Sequence, residues 1–355
     1  MINYETLKPF LFQLEPETAH NFVEKMLHYG IDYLPFVKNF LIQKLFVNEK
    51  ILHQELFGKT FLNPVGIGAG FDKNGTMVRG IQALGFGYTE IGTITPKPQE
   101  GNPKPRMFRH ISERTLQNAM GFNNDGAFAI EHRLKKVLPF TTPVGINIGK
   151  NKTTPEDEAI EDYRVLLETF ESYADYLVIN ISSPNTPNLR DLQNEQFIKE
   201  LFSMAKEITT KPILLKIAPD MEAKTAVSLC KSAVKAGASG IIATNTTIDY
   251  SLVKEPKDIG GLSGAVLNEK SKEIFTAIAK ALFGKTTLIS VGGISDGKDA
   301  YERIKLGASL VQVYTGFIYG GPTLIRDINK DIIKYLHEDG FKNITEAIGY
   351  DIKTK

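Results

Sequence analysis

Eight short apolar runs recur along the chain, and between them apolar residues return every three or four positions. The runs Pro64–Ala69, Tyr88–Ile94, Pro143–Ile148, Tyr176–Asn180, Ile213–Ile217, Gly240–Thr244, Thr287–Val291 and Leu310–Tyr314 lack helical spacing and predict buried parallel strands. Helical spacing is read near 75–84, 126–137, 154–170, 195–208, 221–236, 269–283, 296–306 and 323–337. Eight strand–helix repeats are the count of an α/β protein of the (β/α)8 TIM-barrel class, here over residues 48–340. An open doubly wound sheet is the alternative, because no pattern reports closure. Ile51–Phe57 and Phe61-Leu62, flanking Gly58-Lys59-Thr60, predict a hairpin ahead of the barrel. Residues 341–355 are read as a C-terminal tail.

Residues 1–47 have a different pattern and predict a small helical extension. Pro16 opens a helical run with Ala19, Phe22, Val23, Met26 and Leu27 on one face, and Gly30 ends it. A second run, Pro35 to Val47, carries Phe36, Val37, Phe40, Leu41, Leu45 and Phe46. Nine of the first 50 residues are aromatic. Two short helices cannot bury that surface on each other, so it must meet the barrel, a partner or lipid. Five Lys against six Glu and Asp in residues 1–50 make no polybasic anchor.

Composition narrows the function classes. A net charge of +1 gives no general case for nucleic acid. A single cysteine, Cys230, excludes an internal disulfide and reads as a small core residue. There is no signal-peptide pattern and no apolar run near the roughly 18 residues that span a bilayer, so the protein is expected inside the cell.

The strand ends carry the candidate chemistry. The loop Asn180-Ile181-Ser182-Ser183-Pro184-Asn185-Thr186-Pro187-Asn188 follows a strand, and its prolines keep a helix from starting at once. In a barrel such loops converge on one face, and similar polar loops follow the other strands: Ala69 to Asn74, Gly92-Thr93, Asn147, and Thr244 to Thr247. Gly292-Gly293 and Thr315-Gly316, after the seventh and eighth strands, fit the usual barrel phosphate site. Lys216 lies inside Ile213-Leu214-Leu215-Lys216-Ile217, where a buried cation requires an anionic partner. A reduced flavin is one such partner, and a Schiff-base role on an aldolase barrel is the rival. Asn147, Asn180, Asn185 and Asn245 suit a planar ligand with carbonyl and N–H groups, such as a pyrimidine. No metal-ligand spacing and no nucleophile elbow occurs on this rim.

These residues resemble a known family, the class 2, quinone-dependent dihydroorotate dehydrogenases, over nearly the whole chain. The shared motifs include Phe12 to His20, Ala69 to Gly75, Glu90 to Thr93, Pro103 to Arg109, Asn118 to Asn124 and Gly145 to Asn151. They continue through the Asn180 loop, Lys216 to Asp220, Ala243 to Thr247, Gly260 to Gly264 and the two phosphate loops. The resemblance implies an FMN enzyme that oxidises (S)-dihydroorotate to orotate in de novo pyrimidine synthesis, with ubiquinone or menaquinone as the final acceptor. It implies FMN contacts from Ala69, Gly70, Phe71, Asp72, Lys73, Thr93, Asn147, Asn180, Lys216, Thr244, Gly264, Gly293, Tyr314 and Thr315. It implies substrate contacts from Lys73, Asn118, Ala119, Met120, Gly121, Phe122, Asn180, Asn185, Asn245 and Thr246, with Ser183 as the catalytic base. Ala119 stands where the family often has Arg. Quinone access is implied past His20, Arg109 and Tyr314. Class 1 enzymes use a cysteine at the base position and lack the N-terminal helices, and Cys230 is far from the loop. The resemblance also implies a monomer lying peripherally on the cytoplasmic side of a bacterial inner membrane. The rivals are an aldolase or isomerase using Lys216, a flavin reductase acting on RNA uracil, and a non-catalytic membrane adaptor.

Overall fold

The computed structural model describes residues 4–32 and 34–353. Eight parallel strands close a barrel: β1 Val65–Asp72, β2 Tyr88–Ile94, β3 Val144–Ile148, β4 Tyr176–Asn180, β5 Ile213–Ile217, β6 Gly240–Ala243, β7 Thr287–Val291 and β8 Leu310–Val313. They pair in chain order, and β8 closes on β1 through Val311 opposite Val65 and Gln312 opposite Gly66. The (β/α)8 expectation holds, and the open sheet is excluded.

Alternation along each strand separates two cores. Outward residues such as Ile67, Ile146, Ile179, Leu215 and Val313 pack under the helices. Inward, Tyr88, Tyr176, Val178, Leu214, Ile242, Ile289 and Leu310 fill the lower barrel. The hairpin Gln54–Leu56 and Lys59–Phe61 lies against them, and Phe61 packs on the Tyr88 ring at 5.5 Å. Its turn is Phe57-Gly58, both at positive φ, so Lys59 and Thr60 belong to the strand and not to the turn, while Lys50–Leu52 is a 3-10 turn. One layer higher the inward positions are Glu90, Asn147, Asn180, Lys216 and Gln312, and the interior becomes polar.

The N-terminal region has three helices rather than two: α1 Tyr4–Gln13, α2 Pro16–Asp32 and α3 Pro35–Leu45. Pro9 lies inside α1. The Glu15 carboxylate accepts the Thr18 N–H at 2.8 Å and caps α2, with Pro16 leading its first turn. The apolar stripe of α2 divides. Ala19, Leu27 and Ile31 are buried, whereas Phe22, Met26 and Tyr29 face outward. Leu27 seats on the helix Val78–Ala83 at Gly80, where an added Cβ would come within 2.9 Å of the Leu27 Cβ. Leu45 closes α3 on the same helix region and is fully buried.

A three-stranded antiparallel sheet was not expected. It orders Gly261–Gly264, Thr115–Asn118 and Met107–His110 and stands between the barrel mouth and the N-terminal helices. Residues of the C-terminal tail pack rather than trail. Ile344 and Ala347 are buried, and the Gly349 N–H donates to the Ile304 carbonyl. Cys230 is fully buried, and burial pushes its thiol pKa up.

Candidate active site

The strand ends enclose one large cavity, with about 1070 Å³ of empty space including its open mouth. Its wall carries Ala69, Gly70, Lys73, Thr93, Asn118, Met120, Gly121, Phe122, Asn180, Ser183, Asn185 and Lys216. Thr244, Asn245, Thr246, Gly264, Gly293, Tyr314 and Thr315 complete it. The predicted catalytic, cofactor and substrate residues therefore converge, with four exceptions. Asn147 lies beneath the wall, fully buried. Ala119 is buried behind it, its carbonyl accepting from Asn102 Nδ2. Asp72 faces away, accepting the Thr76 and Met77 N–H groups at 2.9 and 2.8 Å. Phe71 packs on the lid side, between His20, Tyr314 and Phe317.

The floor is a connected network. Lys216 Nζ stands 3.6 Å from Glu90 Oε1, both side chains being buried, so the partner of the buried cation belongs to the protein itself. Glu90 also accepts from Asn147 Nδ2 at 2.8 Å and from Gln312 Nε2. Above it, Asn180 Nδ2 donates to Thr93 Oγ1 at 2.9 Å and to Asn147 Oδ1 at 3.1 Å. Sequence reasoning missed Glu90 and Gln312 as site residues. The rule that singled out Lys216, a charge inside a buried strand, also applies to Glu90 in Tyr88-Thr89-Glu90-Ile91.

The loop after β4 is braced from outside the cavity. Arg190 donates to the Ser182 carbonyl at 3.0 Å, to the Thr246 carbonyl at 2.9 Å and to Asp220 at 2.8 Å. Burial pushes the Asp220 carboxyl pKa up, but Lys270, Thr247, the Ile248 N–H and Arg190 outweigh it and hold it low. Ser183 Oγ accepts the Asn185 N–H at 3.2 Å. Among the described residues no imidazole or carboxylate is hydrogen-bonded to Ser183. Asn185 Nδ2 donates to Asn118 Oδ1 at 3.1 Å, so the unexpected antiparallel sheet positions one wall of the site.

Four side-chain atoms on this wall are buried and unpaired: Gln312 Oε1, Thr246 Oγ1, Asn185 Oδ1 and Asn123 Oδ1. Six more such atoms lie elsewhere among the described residues, but these four share one cavity, where a ligand with N–H and O–H groups would pair them. Gly293, at φ +76°, turns beside Thr315-Gly316 at the start of a short helix, a backbone cradle suited to phosphate. The residues present fit a flavin mononucleotide.

A second line leads from the cavity to α2. The Tyr314 hydroxyl donates to the Gly70 carbonyl at 3.2 Å, and its ring meets Phe71 at 5.7 Å. Phe71 meets His20 edge-on at 5.3 Å. Burial, with Lys73 nearby, pushes the His20 imidazole down to about 3. Arg109 donates to the Phe12 and Leu14 carbonyls at 3.2 and 2.7 Å and lies over the Phe12 ring. A buried pair, Arg106 with Glu17 at 2.7 Å, fastens α2 to the loop before the antiparallel sheet.

A family model described as dihydroorotate dehydrogenase matches residues 51–336. A relative from Nitratiruptor, named dihydroorotate dehydrogenase (quinone), is 62% identical over 352 residues, 99% of this chain and 100% of its own. One of the same name from Sulfurimonas denitrificans is 63% identical over 357 residues, with the same coverage. The ligand-free dihydroorotate dehydrogenase structure from Eimeria tenella superposes with a TM-score of 0.85 at 36% identity, covering 95% of this chain and 99% of that one.

Proposed function

Because the chain belongs to the quinone-dependent (class 2) dihydroorotate dehydrogenases, we propose that the strand-end cavity holds FMN and dihydroorotate together and that the N-terminal helices admit the quinone. The enzyme oxidises dihydroorotate to orotate in pyrimidine biosynthesis, with a quinone as electron acceptor. Its family is flavin-dependent. The four unpaired polar atoms on the wall that also bears Ser183 and Lys216 are the observation that carries the finer reading.

On this reading Gly264, Gly293 and Thr315 hold the FMN phosphate end, and Thr93, Asn180, Lys216 and Thr244 hold the flavin. Bound FMN supplies the acceptor for a hydride from C6 of dihydroorotate. Ser183 Oγ takes the proton from C5 as its own hydroxyl proton passes to water, and the Asn185 N–H at 3.2 Å favours the serine oxygen while it carries negative charge between the two transfers. Lys73 balances the substrate carboxylate, while Asn118, Asn185, Asn245 and Thr246 fix the ring through paired hydrogen bonds. Residues 1–47 form the quinone-access lid, 48–340 the FMN-binding barrel and 341–355 the tail. His20, Arg109 and Tyr314 line the quinone route.

No described helix is long and apolar enough to cross a membrane. Exposed Phe10, Phe22, Phe36 and Phe40 support a peripheral attachment of the lid to lipid. We place the enzyme as a monomer on the cytoplasmic face of a bacterial inner membrane, with no role for nucleic acid.

Ser183→Ala tests the site. The variant keeps its FMN, and anaerobic rapid mixing with dihydroorotate shows flavin reduction slowed at least about a hundredfold. Near-normal single-turnover reduction would remove Ser183 from the mechanism.

A further inference from the structure

The buried carboxylate beneath the cavity constrains every amide above it. Glu90 has no exposed surface, and each of its two oxygens accepts from a side-chain amide, one from Asn147 Nδ2 and one from Gln312 Nε2. A carboxylate has no hydrogen to give, so each amide that meets it must turn its N–H toward it and its carbonyl away.

That orientation propagates upward. Asn147 Oδ1 is left as acceptor for Thr93 Oγ1 at 2.5 Å and Asn180 Nδ2 at 3.1 Å. Asn180 then presents Oδ1 to the Ser182 N–H and hydroxyl, at 3.1 and 2.9 Å. Ser182 Oγ accepts from Asn245 Nδ2 at 2.9 Å, which leaves Asn245 Oδ1 for the Thr246 N–H at 2.7 Å. On the other branch, Gln312 spends its N–H on Glu90 and leaves Oε1 unpaired at the cavity wall. A simple ion pair would need only Lys216. Here one acceptor-only group determines which way each amide faces from the barrel floor to the loop after β6.

We propose that Glu90 is a positioning residue: its carboxylate sets the donor and acceptor direction of the Asn147–Asn180–Ser182–Asn245 chain and offsets the charge of Lys216 beneath the flavin. The proposal rests on the reading of the cavity as the FMN and dihydroorotate site. It gives Glu90 a distinct signature, because it acts on ligand orientation and on flavin potential without touching either ligand.

The test is Glu90→Gln in the full-length flavoprotein. Glutamine adds an N–H2 group where only acceptors stood, so neighbouring amides lose their enforced direction. It also leaves the Lys216 charge without its counter-charge. Orotate affinity, read by titrating the flavin absorbance, falls at least about tenfold. The flavin midpoint potential rises, because negative charge on the reduced flavin is now favoured. A tenfold shift in that two-electron equilibrium is about 30 mV. A folded, yellow E90Q whose orotate affinity and potential both match wild type overturns the proposal. If E90Q does not accumulate, Glu90→Asp decides, since it keeps the charge and the acceptor-only character but shortens the reach. Its potential stays at the wild-type value while orotate affinity falls, and a potential raised as far as charge removal predicts overturns the proposal. The cavity reading fails separately, if the wild-type protein carries no flavin or does not bind orotate.

Discussion

The barrel rim and the N-terminal helices are both left incomplete by the fold, but in opposite senses. The rim has buried polar atoms without partners, four of them on one wall. The helices have apolar surface without cover. Of sixteen large hydrophobic residues that are exposed among the described residues, nine lie between Leu7 and Phe40, and Phe36 is 69% exposed. Unpaired polar atoms in a cavity ask for a polar, hydrogen-bonding ligand. Exposed aromatics on short helices ask for an apolar phase. An enzyme that takes a charged pyrimidine from water and delivers electrons to a quinone needs one surface of each kind. The two are joined by the ring contacts from His20 through Phe71 to Tyr314 and by the Glu17–Arg106 pair.

The largest effect is expected at the rim. Lys216→Ala strands Glu90 in the barrel without its cation, and breaking a buried pair costs about 3–5 kcal/mol. The variant loses its flavin on dialysis and a lower thermal midpoint accompanies the loss. Flavin reduction by dihydroorotate falls by roughly 10²–10³, the cost of removing one preorganised electrostatic contact. A variant that retains both flavin and rate would return Lys216 to a structural role.

A smaller effect lies at the junction and depends on pH. His20 has its folded pKa at about 3, below the ordinary value near 6.5. Between those values the unfolded chain binds a proton that the folded chain refuses, so stability rises with pH through that window. The contribution is complete above about 6.5 and drains away as pH falls toward 3. Glu17 acts in the same direction. Burial pushes its carboxyl pKa up, the Arg106 and Lys104 contacts outweigh this, and the net lowering gives stability that is lost in acid. The urea midpoint of wild type should fall between pH 7 and pH 4.5, and His20→Asn should flatten that slope. Equal slopes in the two proteins would show that the imidazole is not held neutral at the junction.

Much of the barrel was legible in the sequence because its signal is local. A buried parallel strand is a short apolar run, and the helix after it has its own period, so eight repeats could be counted without knowing what touches what. Lys216 was legible for a related reason, as a charge where the pattern demands apolar residues. What escaped was long-range or short. The strands Met107–His110, Thr115–Asn118 and Gly261–Gly264 have four residues each, mixed polarity, and partners up to about 150 positions away. α1 escaped because Pro9 sits where a helix pattern would normally be broken. The division of α2 into a buried and an exposed face could not be read from its stripe, since the stripe does not say which part Gly80 admits.

The separation of the two half-reactions can be measured in one full-length variant, Phe22→Ser/Phe36→Ser/Phe40→Ser. These rings are 54%, 69% and 47% exposed, so their removal leaves the packed core intact. Each would contribute up to about 1.5–3 kcal/mol on full insertion into lipid. Rapid mixing follows flavin reduction by dihydroorotate, then reoxidation by a long-chain quinone carried in vesicles, then reoxidation by a small water-soluble dye. The account predicts unchanged reduction, unchanged dye turnover, and vesicle quinone turnover slowed at least about tenfold, with little sensitivity to salt. Vesicle quinone reduced at the wild-type rate would contradict it, and the exposed aromatics would then be only the outer surface of a structural cap.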